Sequence, residues 1–428
     1  MPEDGTPCLA VVSRRIAAPT HAREERMIMI SNRRMTACAT VSCLALAACL
    51  SDDPVHAQGF DPQGMAAEAL AQPFVGITVD GVRSPGLFAI EATDASTAPV
   101  IAAASAFLAS LDDELRRRVR FPVDDMNVWR NWANIHSFPR EGISLDEMSD
   151  VQRERAHALL RASLSAKGYE TSRDIMRLNH HLAELVDNFE DYGEHLYWVT
   201  VLGDPSATEP WGWQIEGHHL IVNYFVLGDQ VVMTPTFMGS EPTRAHSGLY
   251  AGVAILEAEE ELALALMQTL SPAQRELALL GAKEGRSENR TEMFKDNQVI
   301  PFEGIPAGSL DEAQRAMLVD LIELYVDNLD EGHAAVKMQE VLTHLDETWF
   351  AWIGETGDDA VFYYRIHSPV ILIEFDHQGP IALDGDGPSR NHVHTVVRTP
   401  NGNDYGADLL RQHIETFAND PEHGHHVE

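Results

Sequence analysis

The stretch Trp211–Pro242, WGWQIEGHHLIVNYFVLGDQVVMTPTFMGSEP, decides the fold of this chain. It sets a carboxylate and two adjacent imidazoles, Glu216, His218 and His219, at the head of an apolar run. A polar break at Gly228-Asp229 and a second apolar run ending in a Pro/Gly turn follow. Short apolar runs rich in β-branched and aromatic residues, parted by a two-residue break, predict a β-hairpin or two paired strands. Side chains alternate faces along a strand, so Glu216 and His218 are expected on one side and His219 on the other. A regular strand cannot aim both histidines at one site unless a bulge re-aims one of them.

The C-terminal segments supply the matching half. VFYYRIHS (361–368), VILIEFDH (370–377) and NHVHTVVRTP (391–400) read as strands, with the Gly/Asp-rich turn GPIALDGDGPSR between the last two. His392-x-His394 on extended chain puts two imidazoles on one face, close enough to reach one ion. Glu374 sits inside an otherwise apolar run, where a carboxylate is costly unless paired or metal-bound. Arg365 and His367 share a face of the preceding strand, and Arg365 is the local counter-charge. One reading gathers His218, His392 and His394, with Glu374 or Glu216, around a Zn, Mn or Fe ion that keeps an open position. The competing reading pairs Glu374 with Arg365 or Arg398 and leaves the histidines as hydrogen-bonded core and edge residues. His219, His367, Asp404 and His413 are further candidates: Asp404 is placed to orient or charge a site histidine, whereas Asp408 reads as a cap of the last helix. His180, His181 and Glu184 also meet ligand spacing, but such pairs are common on helix surfaces. No HExxH, Gly-rich phosphate loop or GxSxG is present, and the glutamate that should follow His392-x-His394 in a cupin is missing.

Around these strands the pattern alternates in blocks. Residues 50–70 read as a polar tether. Short strands are expected at Phe74–Thr78 and in LFAIEAT (87–93), then a helix over 98–115 and an irregular Trp/Asn/Arg-rich loop over 121–142. Helices are predicted at 149–166 and 171–189, a strand at 194–202, and helices at 257–268, 271–280, 310–328, 332–349 and 409–417. The charged, Gly- and Pro-punctuated segment 283–309 reads as an exposed connection, the place for a lid or variable loop. No internal repeat is visible. The sum is a single large α+β domain over 71–418, with helices in 98–190 and 257–350 around a mixed or antiparallel sheet; a two-lobed arrangement is the alternative. The site is expected where the Trp211–Leu227 strand meets the Val361–Val397 strands.

All four cysteines, Cys8, Cys38, Cys43 and Cys49, precede Leu50, so the remaining chain can build neither a disulfide nor a thiolate metal site. Arg33-Arg34 followed by the apolar Met35–Cys49 has the make-up of an export signal and is too short to span a bilayer. Leu46-Ala47-Ala48 before Cys49 resembles a bacterial lipoprotein signal, which makes Cys49 the lipid anchor and the chain a periplasmic or outer-membrane lipoprotein. Cleavage after Val55-His56-Ala57 is the alternative and yields a soluble periplasmic or secreted protein. Residues 1–26 precede this signal awkwardly, and Met27 or Met29 is the more natural start. The whole chain carries 31 basic and 66 acidic residues; residues 1–49 hold six and four of these, leaving 25 against 62, a net charge near −37. That field repels nucleic acid and tolerates cations or neutral ligands. The tail from 419 holds His423, His425 and His426, a loose cluster at most.

The chain resembles a broad family of uncharacterised proteins, DUF3500. The resemblance is carried by Trp211-Gly212-Trp213, Gly217-His218-His219 and Phe237-x-Gly239-x-x-Pro242. It continues through Tyr364-Arg365-x-His367-x-Pro369 with Glu374, Asn391-His392-x-His394 with Arg398, Asp404-Tyr405-Gly406-x-Asp408 and His413. It implies that the separated histidines belong to one constellation and assigns no activity. The residues themselves lead to a metal-dependent extracytoplasmic enzyme acting on a small molecule. Hydrolysis comes first, with Glu374 or Glu216 taking a proton from metal-bound water and Arg365 steadying developing negative charge. Fe or Mn oxidation chemistry is one alternative. The other is a non-catalytic ligand-binding lipoprotein walled by Trp211, Trp213 and Tyr364.

Overall fold

A computed structural model of the chain describes residues 60–283 and 285–417. The expected export signal, residues 50–59 of the expected tether and the His-rich tail lie outside the described residues. Apolar, β-branched runs form eight principal strands: β1 (Tyr197–Leu202), β2 (Trp211–Gly217), β3 (Leu220–Leu227), β4 (Thr236–Ser240), β5 (Trp349–Gly354), β6 (Phe362–His367), β7 (Leu372–His377) and β8 (Val393–Arg398). They pair antiparallel in the order β1-β2-β3-β4-β8-β7-β6-β5. Two meanders therefore meet edge to edge at β4 and β8, where Gly239 stands opposite His394. The helices are α1 (Ala98–Ser110), α2 (Asp150–Ser163), α3 (Ala166–Val186), α4 (Glu257–Thr269), α5 (Glu312–Val326), α6 (Glu331–Thr343) and α7 (Ala407–Phe417). The domain is α+β with helices packed around this sheet.

The two halves follow one plan. In the first, α1 leads through a short helix (Asp113–Val119) to a strand (Arg120–Phe121) parallel to β1; a long connection then gives a strand (Ile143–Ser144) antiparallel to β1, followed by α2, α3 and the meander β1–β4. In the second, α4 leads through Pro272–Ala278 to Leu279–Gly281, parallel to β5. A long connection gives Ile305–Pro306, antiparallel to β5, followed by α5, α6 and the meander β5–β8. Even the caps recur: Ser149 with Gln152 and Asp311 with Gln314 close capping boxes at the starts of α2 and α5. The hairpins β2–β3 and β6–β7 superpose in register without a gap, Glu216 opposite Ile221 answering His367 opposite Leu372. Across 211–226 against 362–377 only Ile215 and Ile366 are identical, so the repeat is invisible in the sequence and survives only as topology.

The two faces of the sheet differ in chemistry. One packs Trp211, Trp213, Ile215, Val222, Tyr224, Phe362, Tyr364, Ile373 and Phe375 against the helices in a continuous apolar core. Each such buried side chain contributes on the order of 1.5–3 kcal/mol. The other face carries Glu216, Asn223, Phe237, Arg365, Glu374, Asp376, His394 and Arg398, in register with one another across the strands. It is roofed by the long connections of both halves and by α7 with its preceding turn. Buried polar groups need partners, and the roof supplies them.

Several elements differ from the sequence expectation. Within the region read as a tether, Pro62–Leu70 is a helix, N-capped by Asp61. The stretch over 74–78 contributes only a bridge at Thr78, and LFAIEAT is irregular. The helix expected over 98–115 breaks at Leu111, because Asp112 caps a new helix at Glu114 and Leu115. The largest difference is 283–309. Asn289, Thr291, Glu292, Asp296 and Ile300 are buried within it. Its charges suggest exposure, yet Glu292 meets His394, Glu303 meets Arg365, and Asp296 pairs with both Arg130 and Arg398.

The β4–β8 seam leaves no room for a side chain at Gly239, whose added Cβ would lie 2.3 Å from the Val393 carbonyl oxygen. Gly239→Ala should cost about 1–3 kcal/mol, measured as a lowered urea midpoint with an unchanged slope.

Candidate metal centre

The position of His219 follows from the turn it occupies. β2 and β3 are joined through His218 and His219 alone, since Gly217 pairs with Leu220. Two-residue hairpin turns most often place a residue at positive φ, and His219 adopts φ 63°. For a non-glycine residue that costs on the order of 1–3 kcal/mol and is found mostly where function demands it. Its backbone is held on both sides: His219 N–H donates to the Asn134 carbonyl at 3.2 Å, and Gly239 N–H donates to the His219 carbonyl at 2.9 Å. The strand-alternation rule does not apply inside the turn, and this corrects the expected ligand. His219, rather than His218, faces His392 and His394.

The three Nε2 atoms converge. His219 Nε2 lies 3.2 Å from His392 Nε2 and 3.0 Å from His394 Nε2, and the latter two are 3.0 Å apart. All three residues are buried, and among the described residues they form the one group with metal-ligand geometry. The opposite ring atoms fix the tautomers. His392 Nδ1 lies 2.9 Å from the Gly379 carbonyl, which can only accept, so Nδ1 carries the proton. His394 Nδ1 lies 2.6 Å from Glu292 Oε1, and a carboxylate again accepts. In their neutral forms both rings therefore point bare Nε2 lone pairs at each other and at His219. Such lone pairs repel unless a cation or proton stands between them. Three nitrogens each about 2.0–2.1 Å from a tetrahedral ion would be separated by roughly 3.3 Å, near the observed spacing. The cluster is thus capable of coordinating a metal ion.

The electrostatics agree. Burial, reinforced by the neighbouring His394, pushes His392 down to about 3. Burial and then His218 push His219 well below the ordinary imidazole value. Burial alone would raise Glu292, but the His394 charge and hydrogen bond bring it down to about 2. A ligand imidazole whose other nitrogen donates to a carboxylate is fixed in orientation and made more basic.

His218 stands beside the centre, its ring centroid 3.9 Å from that of His219. Asn179 Nδ2 donates to the Gly193 carbonyl, so its Oδ1 faces His218 Nδ1 at 2.8 Å and accepts from it. That leaves His218 Nε2 as an acceptor, and the His136 and Tyr192 ring centroids lie 5.7 and 5.3 Å from that of His218.

The other expected residues lie elsewhere on the polar face. Glu374 accepts from Arg290 N–H (2.9 Å), Thr291 N–H (2.9 Å), the Thr291 hydroxyl and the Tyr363 hydroxyl (2.6 Å). That set uses up its lone pairs, so Glu374 is an anchor for the 290s segment rather than a ligand or base. Arg365 stands opposite Glu374 in register but pairs with Glu303 at 2.6 Å. Glu216 is held by Ala133 N–H (3.4 Å) and Arg140 (3.6 Å); burial raises it to about 7 against the pull of Arg140. Asp404 accepts from Thr399 N–H and pairs with Arg398. His413 pairs with Glu209 at 3.5 Å. His367 packs edge-on against Phe302, with a ring distance of 4.7 Å. His181 and Glu184 pair on α3. The sequence reading missed Glu292, Asn179 and Glu241. Only Glu292 carried a signal, as a carboxylate in a segment too polar to be assigned to the interior.

Two outcomes follow. Glu292→Gln should lower metal affinity about 10–100-fold, read by competition with a chromogenic chelator. Burial, then Arg365 and Arg290, lowers His367 to about 3. A histidine kept neutral when folded but free to protonate when unfolded loses stability as the pH falls below 6.5. Between pH 7 and 5 the wild type should therefore lose about 2 kcal/mol that a His367→Leu chain retains, measured by urea unfolding at both pH values.

A family model described as a protein of unknown function, DUF3500, matches residues 93–407. No curated protein matches the chain, and no solved structure matches it. The match spans both halves of the sheet and all three converging histidines, and the chain belongs to the DUF3500 family.

Proposed function

We propose that this chain is a metal-dependent hydrolase acting on a small organic substrate at His219, His392 and His394. The observation that carries the reading is the convergence of three buried Nε2 atoms within 3.2 Å, two of them on rings whose Nδ1 protons are already committed. Three neutral imidazoles leave the ion its full charge, the donor set that lowers the pKa of bound water to about 7. Oxidation chemistry at iron or manganese more often uses two imidazoles and a carboxylate. Here the nearest carboxylate, Glu292, is turned to Nδ1 of His394 instead of the ligand atoms, which favours hydrolysis. The aromatic walls expected of a simple binding pocket, Trp211, Trp213 and Tyr364, belong to the helical face of the sheet. The flank where half-buried His136 and His218 meet buried Tyr192 supports approach of a small molecule from that side. Glu216, Glu374 and Arg365 act in this proposal as structural groups.

The proposal retains export, by lipidation at Cys49 or by cleavage after Ala57. The intact mass of the chain from a membrane fraction separates the two, and a cytoplasmic, unprocessed chain would contradict both.

For the activity itself, metal-stripped protein should be reloaded with Zn2+, Mn2+ or Fe2+ and screened against small esters, lactones, amides and phosphoesters. We expect hydrolysis that vanishes on chelation, returns with metal and is absent from the His392→Ala/His394→Ala chain, with its circular dichroism unchanged. Hydrolysis that persists in that variant would refute the site.

A further inference from the structure

We propose that Gly379–Asn391 is a lid over the three-histidine centre, latched by the buried carboxylate of Glu241. The inference rests on the metal reading above and goes beyond it by assigning a gate and the residue that holds it.

The segment is a loop with joined ends. Gln378 N–H donates to the His392 carbonyl at 2.7 Å, Ser389 N–H donates to the Gln378 carbonyl at 3.0 Å, and His392 Nδ1 donates to the Gly379 carbonyl at 2.9 Å. Compact surface loops with close ends move as units and are frequently functional. One end is thus bonded to a metal-ligand ring, and the other runs directly into that residue.

Arg286 bonds to Gly379 and Pro380 at one end and Thr243 to Arg390 and Asn391 at the other, while the middle, Ile381–Leu383, is held by the carboxylate of one side chain. Glu241, 2 % exposed, accepts from three consecutive backbone N–H groups: Ile381 at 3.0 and 3.2 Å, Ala382 at 3.0 Å and Leu383 at 3.1 Å. Among the described residues no lysine or arginine pairs with this carboxylate; His392 Nδ1 lies 3.7 Å from it. Converging amides make an anion cradle, and charge-assisted bonds of this kind are strong yet reversible as a set. The carboxylate follows β4 at the sheet seam and the amides belong to the loop, so the contact ties the loop to the sheet.

Its position fits a gate. Ala382 and Leu383 pack on Leu182, Ala183 and Tyr192, and Tyr192 borders His218, whose ring lies against His219. The loop therefore covers the flank on which His218 presents its free acceptor. Beyond that contact Asp384–Gly387 are exposed, and Ile381 leaves 69 % of its surface to solvent. The covering contact is small and the latch polar, which is how closing loops are built when they must reopen.

The test uses residues 58–428 loaded with Zn2+. Glu241→Gln replaces one acceptor oxygen by an NH2 that faces amide donors, so the latch should fail while every ligand remains. Release of Zn2+ to a chelator should then accelerate about tenfold or more, with stoichiometry still one per chain. Hydrogen exchange should rise in 379–391 and not in 290–298. Leu383→Ser, which weakens the packing and leaves the carboxylate, should accelerate release in the same direction and serves if Glu241→Gln fails to fold. Exchange that rises in 379–391 without faster release would overturn the lid while leaving the centre intact, as would unchanged release in both variants. A wild-type chain that binds no Zn2+ would overturn both readings.

Discussion

Imidazole lone pairs that face one another inside a protein set a constraint the surrounding structure must satisfy. His392 and His394 spend their Nδ1 protons on the Gly379 carbonyl and the Glu292 carboxylate. What remains at the centre is electron density needing a positive charge. Folding that assembly without an ion asks three buried rings to share what protons they can. Much of the polar face can be understood from this. The strained φ of His219, the buried Glu292 and the bond from His392 to the lid all hold rings that would otherwise turn away from one another.

The scaffold meets the constraint by joining two similar meanders. Each half brings a hairpin whose turn lies at the same place, but the first carries His218-His219 and the second Pro369-Val370. His392 and His394 come from the opposite end of the second meander. The centre thus forms only at the β4–β8 seam, where Gly239 allows the backbones to approach and its N–H bonds to the His219 carbonyl. Elsewhere the same face is used structurally. Gln214 and Asn223 hydrogen-bond across the first hairpin, and at the matching positions of the second, Arg365 and Glu374 each find other partners in the roof. Two chemically different outcomes have grown on one topology.

Much of this was legible in the sequence. The apolar runs marked most of the principal strands, though Trp211–Leu227 read as one strand where there are two and β5 was missed at the end of a helix expected over 332–349; the His-x-His parity placed His392 and His394 on one face. The caps at Ser149 and Ser271 marked two helices. What was illegible has specific physical causes. Strand periodicity assigned His218 to the site because the turn could not be seen; in the sequence GHHLI reads as the head of a strand, without the Asn-Gly or Asp-Gly pair that announces a two-residue turn. The 283–309 segment looked exposed because charge predicts exposure only while its partners are unknown, and Arg130 and Arg398 are distant in sequence. Glu374 was rightly flagged as costly to bury, yet its compensation came from backbone amides, which sequence does not display. The internal repeat escaped because the hairpins keep volume and register without keeping identity.

The most direct test of the central claim is elemental analysis of residues 58–428, purified without a His-tag or added metal. The lone-pair argument predicts one tightly held Zn, Mn or Fe per chain. A fully folded chain that carries none, and gains no stability when these ions are supplied, would contradict it and return the three histidines to hydrogen bonding alone.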